Sequence, residues 1–199
     1  MSDDGARRDL AFIRQVIEEG RGYVAIGAGH LVIWGTGMGA AALLHFAKLR
    51  GWPLPSGATI WQAAQTVAWI ASIILGMAED HRCKVRSLST RLLPQLWLGL
   101  GIALTILYAG IRTLAPETES LLPASVAATM GIGFFVTGAA CGYRWVQAVA
   151  ALWWIAVPLC VALRHDSLLL PVLAALYLAL LAIPGLLLLR HRAPLVIAA

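Results

Sequence analysis

Apolar residues run through this chain in six long stretches, broken by short joints of proline, glycine and charged residues. We read spans at 23–47, 58–78, 93–114, 122–142, 145–163 and 167–189. Each is close to the roughly 20 residues that cross about 30 Å of hydrocarbon at about 1.5 Å per residue. The joints suit that division. Trp52-Pro53-Leu54-Pro55-Ser56-Gly57 parts the first two spans, and Pro94 and Pro123 sit in first turns, where a missing N–H costs little. Gly142-Tyr143-Arg144 makes a very tight joint, while Pro158 and Pro184 fall inside spans and predict kinks. The pattern predicts an all-α polytopic membrane protein of six transmembrane helices.

The segment ahead of the first span follows a different rule. In residues 7–20, Leu10, Ile13 and Ile17 recur at helical spacing, and Arg7, Arg14, Gln15, Glu18 and Glu19 cover the other faces. We expect residues 1–22 to hold an amphipathic surface helix, released into the first span by Gly20 and Gly22. Residues 191–199 read as a short tail. Acidic residues precede the first span where a secretory signal would have a short basic run, so no signal peptide is expected.

Composition agrees with the pattern: 60% of residues are apolar, 13% are charged, and the mean hydropathy is +0.79. A soluble domain of 199 residues could not hide that much apolar surface, whereas a bilayer solvates it. The net charge of +5 marks topology rather than a nucleic-acid partner. Arg7, Arg8, Arg14, Arg21, Arg82, Lys84, Arg86, Arg91, Arg144, Arg190 and Arg192 fall on one side of the predicted membrane; Lys48, Arg50, Arg112 and Arg164 fall on the other. The basic excess belongs to the cytoplasmic face, so both termini are expected there.

Between helices in lipid, association depends on close backbone approach and on hydrogen bonds. Gly35 and Gly39 in the first span, and Gly131, Gly138 and Gly142 in the fourth, form small-residue stripes. We expect these to pack the chain's own helices, with self-association as the other use of the same stripes. Trp52, Trp61 and Trp97 lie near span ends, as an interfacial belt would place them; Trp34, Trp69, Trp153 and Trp154 lie deeper and read as packing bulk.

Candidate chemistry is sparse. No Asp, Glu, Lys or Arg falls in the middle of a span, which weighs against a proton relay, an ion-coupled pump or a voltage sensor. His30 is the ionisable residue set inside a span, at the depth of Ser72, Thr137 and Cys141, and an interhelical hydrogen bond is its expected role. A second polar layer gathers Gln62, Gln65, Tyr108 and Thr129 toward the opposite side, as a small uncharged cavity or a set of helix–helix hydrogen bonds. Together with His30, these are the candidate ligand-binding residues. Cys83, Cys141 and Cys160 are scattered, and His81-x-Cys83 offers too few donors for zinc. There is no GxSxG, HExxH or phosphate-cradling glycine loop, so neither a catalytic site, a metal nor a cofactor is expected.

Asp9-Leu10-Ala11-Phe12-Ile13, Glu18-Glu19-Gly20, Leu31-Val32-Ile33-Trp34-Gly35 and Pro184-Gly185-Leu186-Leu187-Leu188-Leu189-Arg190 resemble short motifs of uncharacterised proteobacterial six-span inner-membrane proteins. The resemblance implies a six-helix integral protein of a bacterial inner membrane and transfers no functional residue. The leading expectation is a non-enzymatic accessory or regulatory subunit, with residues 1–20 and the basic 79–92 loop as its cytoplasmic contact surface for a protein partner. The alternative is a carrier or binder of a small neutral or lipid-like molecule within the bundle. The lipid bilayer is a partner in either case, and no nucleic acid is expected.

Overall fold

The computed structural model describes residues 27–80 and 88–190. The amphipathic helix expected over 7–20, residues 81–87 of the basic loop expected over 79–92, and the tail over 191–199 lie outside the described residues, while residues 79–80 and 88–92 of that loop are helical. Among the described residues the chain is helical, without strands, and six helices are long and apolar enough to cross a membrane. These are α1 (Gly27–Leu49), α2 (Gly57–Asp80), α3 (Leu88–Leu114), α4 (Leu122–Cys141), α5 (Arg144–Ala162) and a sixth span, Leu169–Arg190. This is an all-α, multi-pass membrane bundle. We call the end that holds Gly27 and Arg190 proximal and the opposite end distal.

Local chemistry sets the boundaries. Ser56 precedes α2, and its Oγ accepts the Thr59 N–H at 3.2 Å, satisfying one of the helix's free first-turn donors. The α4–α5 joint ends α4 with Gly142 at φ +70°, and the Tyr143 N–H then reaches back to the Gly138 carbonyl at 2.9 Å. That is a left-handed glycine cap closed by a six-residue return bond, so α5 begins again at Arg144.

Packing follows the small residues. A Cβ on Gly35 would lie 2.9 Å from the Ala182 Cα, and one on Gly185 would lie 2.8 Å from the Ala28 carbonyl oxygen. α1 and the sixth span therefore touch backbone to backbone. Gly138 likewise brings α4 onto the backbone of Gln147 in α5. The stripes read from the sequence thus serve contacts within the chain. The larger buried cluster gathers around Trp153, Val146 and Cys160 of α5, Phe134 of α4, and Leu173, Tyr177 and Leu181 of the sixth span.

Pro184 acts one turn earlier than its own position. The sixth span runs as α-helix over Leu169–Tyr177, widens into a π turn over Leu178–Ala182, and resumes over Ile183–Arg190. Proline has no N–H to give the carbonyl one turn back, and a π turn is one way for a helix to absorb the mismatch. The widened turn is the surface against which Gly35 packs.

Candidate functional site

The helices enclose a cavity of about 760 Å³, walled by α1, α2, α3, α4 and the sixth span, with Trp145 and Val146 of α5 at the proximal end. Each wall is one helical face. On α1 the lining residues include Gly27, His30, Leu31, Trp34 and Met38; on α2 they are Gln65, Trp69, Ser72, Ile73, Gly76 and Glu79. Both sets recur every three or four residues, the spacing that puts side chains on one side of a helix. Along α3 the wall extends from Leu93 to Tyr108, roughly 22 Å at about 1.5 Å per residue. The cavity is therefore long and narrow, parallel to the bundle.

Its chemistry is graded along that length. At the proximal end His30 Nε2 lies 3.5 Å from Glu79 Oε2, with side-chain exposures of 32% and 14%. The middle is aromatic. The Trp34 N–H donates to Ser72 Oγ at 3.0 Å, and the Trp97 N–H donates to Thr137 Oγ1 at 3.1 Å. Trp34 meets Trp69 edge to face at 5.4 Å, and Trp97 meets Phe134 in the same way at 5.4 Å. Such bonds fix each ring in one rotamer and satisfy its one polar atom, leaving an apolar body to form the wall. At the distal end stand Gln65 and Tyr108, whose hydroxyl accepts from Arg112, itself 3.3 Å from Glu119.

α2 and α3 adjoin along one side of the cavity. These two helices meet through the Trp69 ring, whose edge would lie 2.8 Å from a Cβ on Gly101. Ile73 on α2 and Leu98 on α3 both line the cavity, yet they are 57% and 53% exposed. Gln95 and Thr105 on α3 line it and are exposed as well. Along this seam the cavity lining and the exposed residues of α2 and α3 overlap.

Of the residues singled out from sequence, the structure brings His30, Gln65 and Tyr108 to this one cavity. Gln62 and Thr129 are off its wall. Gln62 lies nearly a turn nearer the distal end of α2 and is exposed. Thr129 is one residue off the α4 lining row of Val126, Met130 and Phe134, and its hydroxyl bonds the Ser125 carbonyl in its own helix at 2.8 Å. Two of the three neighbours expected for His30 are committed elsewhere: Ser72 to Trp34, and Thr137 to Trp97. His30 meets Glu79 instead, because α2 continues to Asp80 and carries the carboxylate inward rather than into a loop. Glu79 escaped the sequence reading, although a signal was present. Gln65, Trp69, Ser72, Gly76 and Glu79 form one stripe of polar, aromatic and small residues along an otherwise apolar helix.

Among the described residues, no group of three or more His, Cys, Asp or Glu side chains is arranged to hold a metal ion. No protein-family model, curated protein or solved structure matches this chain.

Proposed function

We propose that this protein binds, and as a carrier passes on, an amphiphilic molecule that enters its cavity from the bilayer. One observation carries the reading: a cavity of about 760 Å³ whose wall residues Ile73 and Leu98 are also more than half exposed where a membrane would lie. That volume falls in the range of small-molecule sites, and an apolar wall with a few convergent polar groups is their usual form. The aromatic middle suits a hydrocarbon or ring system, and the polar ends suit a head group.

The setting we propose is a bacterial inner membrane with both chain termini cytoplasmic, supported by the excess of Lys and Arg in the joints on the proximal side. The His30–Glu79 end of the cavity is then its cytoplasmic end. The accessory-subunit reading draws on residues 1–20 and the 79–92 loop, which fall largely outside the described residues.

Native mass spectrometry of protein released from gently solubilised membranes tests the proposal. The expected result is the chain carrying a defined small molecule, reduced in the cavity-filling variant Gly76→Phe. An empty chain that instead holds a further protein subunit would favour the accessory role and refute the carrier.

A further inference from the structure

Tyr177 brings to the cavity wall a hydrogen-bond donor that the fold leaves unused. The residue is 7% exposed and directly precedes the π turn of the sixth span. Among the described residues its hydroxyl makes no hydrogen bond. Trp153 packs beside it, ring centroids 6.0 Å apart, yet does not take it up, since the Trp153 N–H is itself sealed without a partner among those residues. A polar group at that depth is costly unless something outside the chain bonds to it. π turns within helices, moreover, occur frequently at functional sites.

A second unspent group stands at nearly the same height on another wall. Gly39 of α1 faces Leu178 of the sixth span, which sets Tyr177 roughly 7 Å distal of Trp34. Gln65 of α2 lies seven residues distal of Ser72, the partner of Trp34, or roughly 10 Å. Its carboxamide lines the cavity and is likewise unbonded among the described residues. Trp69 is one turn from Gln65 on the same face, so an aromatic ring borders this level. The described lining residues include no lysine or arginine, and an anionic head group would meet no counter-charge on the wall.

Resting on the reading of the cavity as an amphiphile site, we propose that its ligand is a quinone-type molecule: a flat, uncharged ring with carbonyl acceptors and a hydrophobic tail. One carbonyl accepts from the Tyr177 hydroxyl and the other from the Gln65 amide. Donors on two walls at one height suit acceptors on two edges of a ring better than the single carbonyl of an ester. The ring lies beside Trp69, where aromatic surfaces pack well. The tail runs toward the proximal end along Trp34 and Trp97, whose N–H groups are spent on Ser72 and Thr137, so that only apolar ring surface meets it.

The test compares three uncharged probes with matched decyl chains: 2-decyl-1,4-benzoquinone, decyl acetate and decylbenzene. Each is titrated against the full-length protein in lipid nanodiscs, with occupancy read by native mass spectrometry. In the wild type the quinone should bind best, about tenfold more tightly than decylbenzene, with the ester between them. In Tyr177→Phe, which keeps the ring and removes only the hydroxyl, the advantage of the quinone over decylbenzene should fall about fivefold, with decylbenzene unchanged. The melting temperature of ligand-free Tyr177→Phe should equal or exceed that of the wild type, because no hydrogen bond within the chain is lost. A clearly lower one would show that the hydroxyl is spent inside the protein and overturn the proposal. Decylbenzene matching the quinone in the wild type would overturn the carbonyl acceptor while leaving the amphiphile site intact. Decyl acetate matching it would overturn the ring in favour of an ester lipid. A quinone preference that survives Tyr177→Phe would overturn the role of Tyr177. None of the three probes binding would overturn the amphiphile site itself. The order among the probes in the wild type decides the ligand class without any variant.

Discussion

Glu79 and His30, 3.5 Å apart, join the last turn of α2 to the start of α1 across the proximal mouth of the cavity. With side-chain exposures of 32% and 14%, the contact lies between the exposed and the fully buried case. We predict that His30→Ala lowers stability by about 1 kcal/mol, because it removes the contact that ties α1 to α2 at a site where the carboxylate is 14% exposed. Thermal unfolding in detergent checks this. A melting curve identical to wild type would mean that the pair contributes nothing.

The contact between α1 and the sixth span has no slack. A side chain at Gly35 would be driven against the backbone of the π turn at Ala182, whereas one at Gly37 would meet nothing within 4 Å. Gly35→Leu should therefore destabilise by about 1–3 kcal/mol or prevent folding. Gly37→Leu, on the same helix, should stay within about 0.5 kcal/mol of wild type. Equal behaviour of the two variants would contradict the packing.

Much of this fold was legible because the physics behind it is one-dimensional. A span is a run of about 20 apolar residues, and the six runs in the chain are the six helices of the bundle. Gly35 and Gly138 could also be read, since a glycine inside an apolar helix usually marks a close approach. The cavity was harder to see. His30, Gln65 and Tyr108 stand out as polar residues in apolar runs, but whether a polar group faces a neighbour or an open space depends on how far apart two helices lie. Nothing in α2 or α3 taken alone states that distance. Trp69 and Trp97 illustrate the difficulty, because the same residue type serves as packing bulk, as an interfacial anchor or as a cavity wall.

Trp97 and Thr137 offer a direct measure of how firmly α3 is held to α4. Their 3.1 Å hydrogen bond links two walls of the cavity. Trp97→Phe and Thr137→Val should each cost about 1 kcal/mol, and the double variant should fall short of their sum by about 0.5–1.5 kcal/mol. Strict additivity in a double-mutant cycle would show that the bond is not made.

Gly76 gives a way to close the cavity without breaking the bundle. A Cβ there would have only the His30 Cε1 near it, at 3.9 Å, and the space beyond is cavity. Gly76→Phe should fold and unfold like the wild type, while the amount of co-purifying small molecule drops several-fold in native mass spectra. Undiminished ligand in a folded Gly76→Phe protein would place the binding site elsewhere.

The proposed orientation can be read from single cysteines introduced after Cys83, Cys141 and Cys160 are replaced. Glu117 lies in the distal joint between α3 and α4, and Arg144 lies in the proximal joint between α4 and α5; both are exposed. With the termini cytoplasmic, Glu117→Cys should react with a membrane-impermeant maleimide on cells whose outer membrane has been permeabilised. Arg144→Cys should react only after the inner membrane is opened. The reverse pattern would invert the topology.

The glycine cap at Gly142 also bears on how the protein is made. α4 ends at Cys141 and α5 starts at Arg144, so only two residues lie between them. With the return bond from Tyr143 to Gly138 already closing the turn, no slack chain remains to let one helix enter the lipid and wait for the other. Such a joint favours entry of the two into the bilayer as one helical hairpin, so a lesion in either bears on the insertion of both.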